Sequence, residues 1–211
     1  MPDANDRDSE IASGIWYRGL KLFLTTISEP TLNPLKELAE LCALFPEEDG
    51  AKLYEDAEHI AREATPEPYH RMLVHEHHMT VTMEGYHDCS VDVEVVAARY
   101  VDDLYCRKIL LRQHGTGRPV QFGIVRFDFS VVTDSVREQI ESQKIPLGRV
   151  LIQHNVLRHI DLGAIVRFKA GAGLARYLDM KIGQETYGRM ATIFCNGAPA
   201  VDLLEISSPL S

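Results

Sequence analysis

The sequence predicts an α+β fold, an antiparallel β-sheet with helices packed on it. From about residue 89 onward the apolar residues recur with period two. Val91, Val93, Val95 and Ala97 alternate with Asp92, Glu94 and Val96, which is the spacing of a half-buried strand. Later runs of the same kind are joined by short turn signals, above all Asn196-Gly197, the dipeptide that suits a two-residue hairpin. Strands joined largely by hairpins, with helices inserted as blocks, imply antiparallel pairing.

Taken in order, residues 1–10 read as a disordered lead, and residues 11–27 fit helix or strand, with helix preferred. Asn33-Pro34 opens a clear helix, with Asn as cap, Pro at the first helical position and Leu35, Leu38, Leu41, Ala39 and Cys42 as the apolar stripe. Pro46 ends it. Residues 49–64 read as a second helix, because Leu53, Ala57, Ile60 and Ala61 share one helical face. Thr65-Pro66 starts a third helical stretch through Tyr69, Met72 and Leu73. Residues 1–65 are therefore expected to form an N-terminal helical segment, packed on or leading into a domain at 66–211.

Residues 104–111 and 120–129 are two further strands, joined by the turn-rich His114-Gly115-Thr116-Gly117-Arg118-Pro119. Thr133 caps a helix to about Gln143, and Pro146-Leu147-Gly148-Arg149 opens a short one. Residues 156–169 are a strand or a pair of strands, and 171–178 a short helix. Residues 186–195 and 199–206 form the hairpin across Asn196-Gly197.

Composition excludes several function classes. A chain of 211 residues with 45% hydrophobic and 25% charged residues is that of an ordinary globular protein. Its net charge of −9 argues against broad nucleic-acid binding, which needs a basic face. Any anionic ligand must then be captured by local arginines, because the overall field repels it. No apolar stretch reaches the length of a membrane span, and the acidic first ten residues do not read as a secretory signal. Cys42, Cys89, Cys106 and Cys195 lie far apart in sequence, so reduced thiols and a cytoplasmic location are expected.

The chemistry-bearing residues stand in apolar surroundings. Arg107 lies at the mouth of an apolar strand, Tyr105-Cys106-Arg107-Lys108-Ile109-Leu110-Leu111. Glu205 lies in another, Ala200-Val201-Asp202-Leu203-Leu204-Glu205-Ile206. Between them Pro146-Leu147-Gly148 makes a backbone elbow, whose Pro fixes φ and whose Gly permits close approach. An Arg and a Glu in apolar strands with an elbow between them suggest a small anion site inside a pocket. Each residue also has a plainer reading. Arg107 could reach solvent along its apolar stem, Glu205 could pair with Arg189, and the elbow could be a helix start.

The order Met79-Thr80, Arg107-x-Ile109-Leu110-Leu111, Pro146-Leu147-Gly148-Arg149, Tyr187-Gly188-Arg189 and Leu204-Glu205 resembles the chorismate lyase family. The family reads Ser-Met-Thr, Leu-Arg-Glu-Ile-Leu-Leu, Thr-Pro-Leu-Gly-Arg, Trp-Gly-Arg and Thr-Glu-Leu at these points. The resemblance covers roughly residues 70–211 and extends to the ending Ser208-Pro209-Leu210. It implies a six-stranded antiparallel sheet with helices packed on it and two helical flaps over an internal ligand pocket. It further implies that Arg107 holds a ring carboxylate, that backbone N–H groups at Met79 and Leu147 complete the anion site, and that Glu205 meets the ring hydroxyl. Gly148 and Arg149 belong to the same elbow. The implied reaction is elimination of pyruvate from chorismate to leave 4-hydroxybenzoate, with no cofactor and no metal. Positioning of an anionic small molecule in a dry pocket would supply much of its rate.

Two departures concern the substrate. Where the family has a second Arg immediately after a Gly, Gly123 is followed here by Ile124, and Arg126 two residues on is the candidate replacement. Asp202 replaces an apolar or small residue near Glu205, which is expected to add negative charge close to the site of a dianion. The cluster His75-Glu76-His77-His78, with His70 and His87 nearby, has metal-ligand chemistry, and His75 and His77 would point the same way on a strand. A third ligand, Glu84 or His154, would have to come from elsewhere, and no metal-site spacing matches. The leading reading is a chorismate lyase-like carbon–oxygen lyase. The alternatives are a non-catalytic small-molecule sensor domain of the same fold and a homologue acting on another cyclohexadiene acid. A DNA-bound regulator is disfavoured, since no basic recognition helix precedes residue 78.

Overall fold

The computed structural model describes residues 33–210, so the expectations for residues 1–10 and 11–27 lie outside the described residues. The fold is α+β, built on one sheet of seven strands: β1 (Tyr54–Ile60), β2 (Val91–Val101), β3 (Leu104–Gln113), β4 (Pro119–Phe127), β5 (Arg158–Ala170), β6 (Glu185–Cys195) and β7 (Ala198–Ser207). Their order is β1-β5-β6-β7-β4-β3-β2, and every neighbouring pair is antiparallel. Six α-helices accompany it among the described residues: α1 (Pro34–Ala43), α2 (Tyr69–Leu73), α3 (Met79–His87), α4 (Asp134–Glu141), α5 (Leu147–Gln153) and α6 (Ala172–Leu178).

The local signals explain most of these elements. Asn33 caps α1, its side-chain oxygen accepting from the Leu35 N–H at 3.2 Å, with Pro34 in the first turn and Leu38 and Leu41 buried. The β6–β7 turn has φ of 53° at Asn196 and 86° at Gly197, the left-handed pair that a tight hairpin requires.

The helix expected over residues 49–64 is absent, and the same residues supply the seventh strand. β1 pairs antiparallel with β5, from Tyr54 opposite Ala170 to Ile60 opposite Ile165. A register shift between Tyr54 and Asp56 breaks the period of two. Tyr54 and Ala57 then pack against the core on one side of the sheet, while Ile60 packs on the other. Spacings of four and three, from Leu53 to Ala57 to Ile60, created the false helical stripe. Glu55, Asp56 and Glu58 leave this edge strand charged, which protects an edge from pairing with other chains. The sheet therefore draws on residues upstream of position 66.

Helices cover both faces. On one, Leu38 and Leu41 of α1 and Leu174 and Leu178 of α6 pack on Phe122, Ile124, Phe168 and Leu204. On the other the core is in two parts. Val136, Ile140, Val150 and Leu151 of α4 and α5 cover Val125, Ile193 and Leu203. Met72 and Leu73 of α2 and Met79 and Met83 of α3 cover Ile109, Leu111 and Ile165. The candidate site opens where these two parts meet.

Candidate functional site

The floor of the site is a patch of three central strands. Arg107 on β3 lies opposite Val125 on β4, which lies opposite Leu203 on β7. One pleat along, Ile109, Gly123 and Glu205 form the next row, and Leu111 and Gln121 begin the one after. Alternate residues point to one face of a sheet, so these rows share the face covered by α3 and α5. Gly123 makes the hollow in the middle row. A Cβ there would lie 3.2 Å from the Ile109 side chain.

The roof is made by the beginnings of two helices, His78, Met79 and Thr80 at α3 and Pro146, Leu147 and Gly148 at α5. The first backbone N–H groups of a helix have no intrahelical acceptor, and Met79, Leu147 and Gly148 are such positions in the lining. Gly148 allows α5 to close down, since a Cβ on it would sit 3.0–3.1 Å from the His78 side chain. The cavity is small, about 50 Å³, room for a few water molecules.

Arg107 is 1% exposed, and its Nε and Nη1 have no hydrogen-bond acceptor. Burial pulls the guanidinium down from its usual value, with the Tyr105 hydroxyl in partial compensation; an arginine keeps its proton nonetheless. The Gln121 side-chain oxygen, also in the lining, is buried and has no donor. Buried polar groups are otherwise almost always paired, so this cavity holds both unused donors and an unused acceptor. Gln121 was not singled out from sequence. Its signal was a lone amide inside the apolar run Val120-Gln121-Phe122.

Glu205 lies in the lining and is also paired. Its Oε2 accepts from Arg189 Nε at 2.7 Å. Arg189 is buried in turn, and its remaining donors reach the carbonyl oxygens of His75 at 2.9 Å and His77 at 3.0 Å. Glu205 and Arg189 thereby pin the 75–77 loop to the sheet and set the start of α3 over the cavity.

Arg107, Glu205, Met79, Leu147 and Gly148 come together in one cavity. Arg149 and Arg126 do not line it. Arg149 binds Glu84 instead, and Glu84 also accepts from the Val91 N–H at 3.1 Å. Arg149 thus ties the two roof helices together and anchors them beside β2. Arg126 occupies the opposite face of β4 from Val125, and its Nε and Nη2 donate to Asp202 Oδ2 at 3.2 and 2.7 Å. The two departures from the family pattern are one paired feature, away from the cavity. Ile124 is buried in the core on that same opposite face. Among the described residues lining the cavity, Arg107 is the only Arg or Lys.

The histidine cluster serves the roof. His75 Nε2 lies 2.7 Å from the Met72 carbonyl, so it donates there, and Nδ1 accepts from the His77 N–H at 3.1 Å. Both nitrogens are engaged, which leaves no lone pair for the metal role considered for His75 and His77. No three His, Cys, Asp or Glu side chains converge as a metal site among the described residues. His78, not assigned to the site from sequence, forms part of its wall. Its Nε2 accepts from Arg158 Nε at 2.8 Å. Burial and the charges of Arg158, Arg189 and His77 push its pKa down to about 4.

No helix among the described residues is long and apolar enough to cross a membrane. No protein-family model matches the sequence, and no curated protein matches it. Several solved structures are similar in part. YydK from Bacillus subtilis shares 11% identity at a TM-score of 0.42, over 57% of this chain and 59% of that one. PhnF from Mycobacterium smegmatis shares 10% identity at a TM-score of 0.45, over 62% of this chain and 63% of that one. A GntR-family transcriptional regulator from Bacillus cereus shares 11% identity at a TM-score of 0.41, over 56% and 92%. The chain spans less than two thirds of the length of the first two.

Proposed function

We propose that this chain binds a small cyclic monocarboxylic acid carrying a hydroxyl group, with its carboxylate on Arg107. The observation that carries the proposal is the buried guanidinium with two unpartnered donors in a small cavity. Burying an unpaired charge is costly, and a ligand carboxylate removes that cost through charge-assisted hydrogen bonds. Backbone N–H groups at Met79 and Leu147 are available to the same anion. The unpartnered Gln121 oxygen and the Glu205 carboxylate are acceptors for a ligand hydroxyl. A 4-hydroxybenzoate-like acid has this distribution of donors and acceptors.

One cation suits one carboxylate. Chorismate carries two, and the residue that would meet the second has no counterpart in the lining, because Arg126 is committed to Asp202 on the other face. Binding without turnover, as in a sensor domain of this fold, is therefore the preferred reading. The lyase reading has one observation in its favour. Arg107 and Glu205 share the cavity under two helices, as the family resemblance implies.

Titration calorimetry with 4-hydroxybenzoate, on the wild type and on Arg107→Ala, tests the proposal, and pyruvate release from chorismate separates the two readings. Binding that depends on Arg107 without pyruvate release is expected. Sustained pyruvate release would establish the lyase reading. Absence of 4-hydroxybenzoate binding, or binding indifferent to Arg107, would remove the carboxylate site.

A further inference from the structure

Two hollows in this molecule share one wall. Beside this small cavity lies a larger cleft of about 650 Å³ between α3, α5 and the start of β5. His78 is the one residue that lines both. The cleft is rich in exposed apolar side chains: Leu157 is 73% exposed, and Val81 and Ile152 are exposed as well.

The His78 ring is buried against Gly148, which has no Cβ to keep it out. Its side chain accepts a hydrogen bond from Arg158. That bond links a charged donor to an imidazole held neutral by burial and by the nearby arginines, so moving the ring breaks no ion pair. The rest of the roof is fastened more firmly, by the Arg149–Glu84 pair and by Met79 and Met83 in the core. A cavity with room for a few waters cannot take a ring acid as it stands. Some part of the wall must move, and His78 is the part that also lines the larger cleft. Where the family motif reads Ser-Met-Thr, this chain places the larger His78 ahead of Met79 and Thr80.

We propose that His78 is the door between cavity and cleft and sets the length of acid the site accepts. A ring acid held at Arg107 with an apolar substituent para to its carboxylate would displace the imidazole and lay that substituent along Val81, Ile152 and Leu157. This rests on the carboxylate reading for the ligand class, but the door itself can be tested without any ligand.

The first measurement uses Val125→Cys, which places a thiol on the cavity floor. Its labelling by N-ethylmaleimide is followed by peptide mass spectrometry in the full chain. Adding His78→Ala should speed labelling of the introduced thiol by roughly tenfold or more while Cys106 and Cys195, buried in the core, stay protected, as a local opening requires. If those cysteines are exposed too, the substitution has loosened the fold, and Arg158→Met decides. It removes the bond that holds the ring and should give a smaller acceleration of the introduced thiol alone. Equal labelling of that thiol in wild-type, His78→Ala and Arg158→Met backgrounds overturns the door.

The second measurement compares 4-hydroxybenzoate with 4-butoxybenzoate. His78→Ala should shift their affinity ratio toward the longer acid by roughly tenfold, the scale of a relieved clash in a tight pocket. An unchanged ratio overturns the role of His78 in ligand length. If neither acid binds the wild type, the carboxylate reading falls, and the labelling rates still judge the door.

Discussion

Arg107 and Lys108 are neighbours on β3, face opposite sides of the sheet, and are both buried, at 1% and 6% exposure. Lys108 is fully engaged. Its Nζ donates to Glu47 Oε1 at 3.0 Å and to the Tyr177 hydroxyl at 2.9 Å. Glu47 is buried too, and its second oxygen accepts from Arg176 and Tyr177. Burial pulls the Lys108 ammonium down, but Tyr177 and Glu47 outweigh it and hold the group above its usual value. Arg107 has no carboxylate partner and two orphaned donors. The third buried cation among the described residues, Arg189, resembles Lys108, with Glu205 and two carbonyls around it. Two of the three buried cations among the described residues have a carboxylate partner, and Arg107 has none, its compensation coming from the Tyr105 hydroxyl. The paired cations hold helices and loops to the sheet, whereas the proposed binding site is built on the one without a carboxylate.

The comparison breaks first at Lys108. Lys108→Met leaves the Glu47 carboxylate buried without its main partner, and breaking a buried pair from one side costs about 3–5 kcal/mol. The lower part of that range is expected, since Arg176 still reaches Glu47. Urea unfolding measures it. A loss below about 1 kcal/mol would mean that Lys108 contributes no more than a surface pair, and the contrast with Arg107 would lose its meaning.

Arg107→Met should behave in the opposite way. It removes a buried charge that has no carboxylate partner, so the unfolding free energy should stay level or rise. Affinity for 4-hydroxybenzoate should fall by roughly tenfold or more, since hydrogen bonds to a charged group are worth about 1.5–3 kcal/mol. A clear loss of stability in this variant would show that Arg107 is a structural residue like its neighbour.

The strands that carry this contrast were legible in the sequence. The apolar run through Cys106 and Leu111 marks β3, and Asn196-Gly197 marks the β6–β7 hairpin that delivers Glu205. The pairing of Arg107 with Glu205 in one cavity was legible only through the order of short motifs, because they lie on strands separated by β4. β1 was hidden by a bulge that imitates a helical stripe. α3 was hidden for a different reason. Its interior holds Thr80, Val81, Thr82 and Gly85, all weak helix formers, and its stability comes from Met79 and Met83 packing on the sheet. His78 was hidden with it, since its role depends on where α3 begins. The sequence leaves the direction of Arg126 open, because alternation shows which residues share a face but not which face meets the pocket.

The pinned loop adds a pH dependence on the Arg107 side of the sheet. The pKa of both His75 and His78 is pushed down from 6.5 to about 4 by burial and by neighbouring arginines. The unfolded chain takes up those protons at higher pH than the folded one. Stability is therefore complete above the unfolded value and is lost as pH falls from 6.5 toward 4. The melting temperature should drop across that interval, starting above the range where carboxylates titrate. His78→Gln should flatten the slope between pH 6.5 and 5, the part set by histidine alone. An unchanged slope in that variant would place the effect elsewhere.

The smallest effect is expected at Arg126, and it sharpens the comparison from the far side of the sheet. Arg126 and Asp202 face each other across β4 and β7, one third and two fifths exposed by side chain, at 33% and 42%. Such a pair is screened by solvent, and exposed pairs contribute about 0–1 kcal/mol. Arg126→Ala should therefore lower stability by no more than about 1 kcal/mol. It should leave 4-hydroxybenzoate affinity unchanged, because Val125, not Arg126, faces the cavity. Asp202→Asn should mimic it, since each substitution removes the same pair. If Arg126→Ala instead weakens an acid with two carboxylates while sparing one with a single carboxylate, the guanidinium reaches the ligand after all. The site would then hold two cations, and the case for a monocarboxylate ligand would fail.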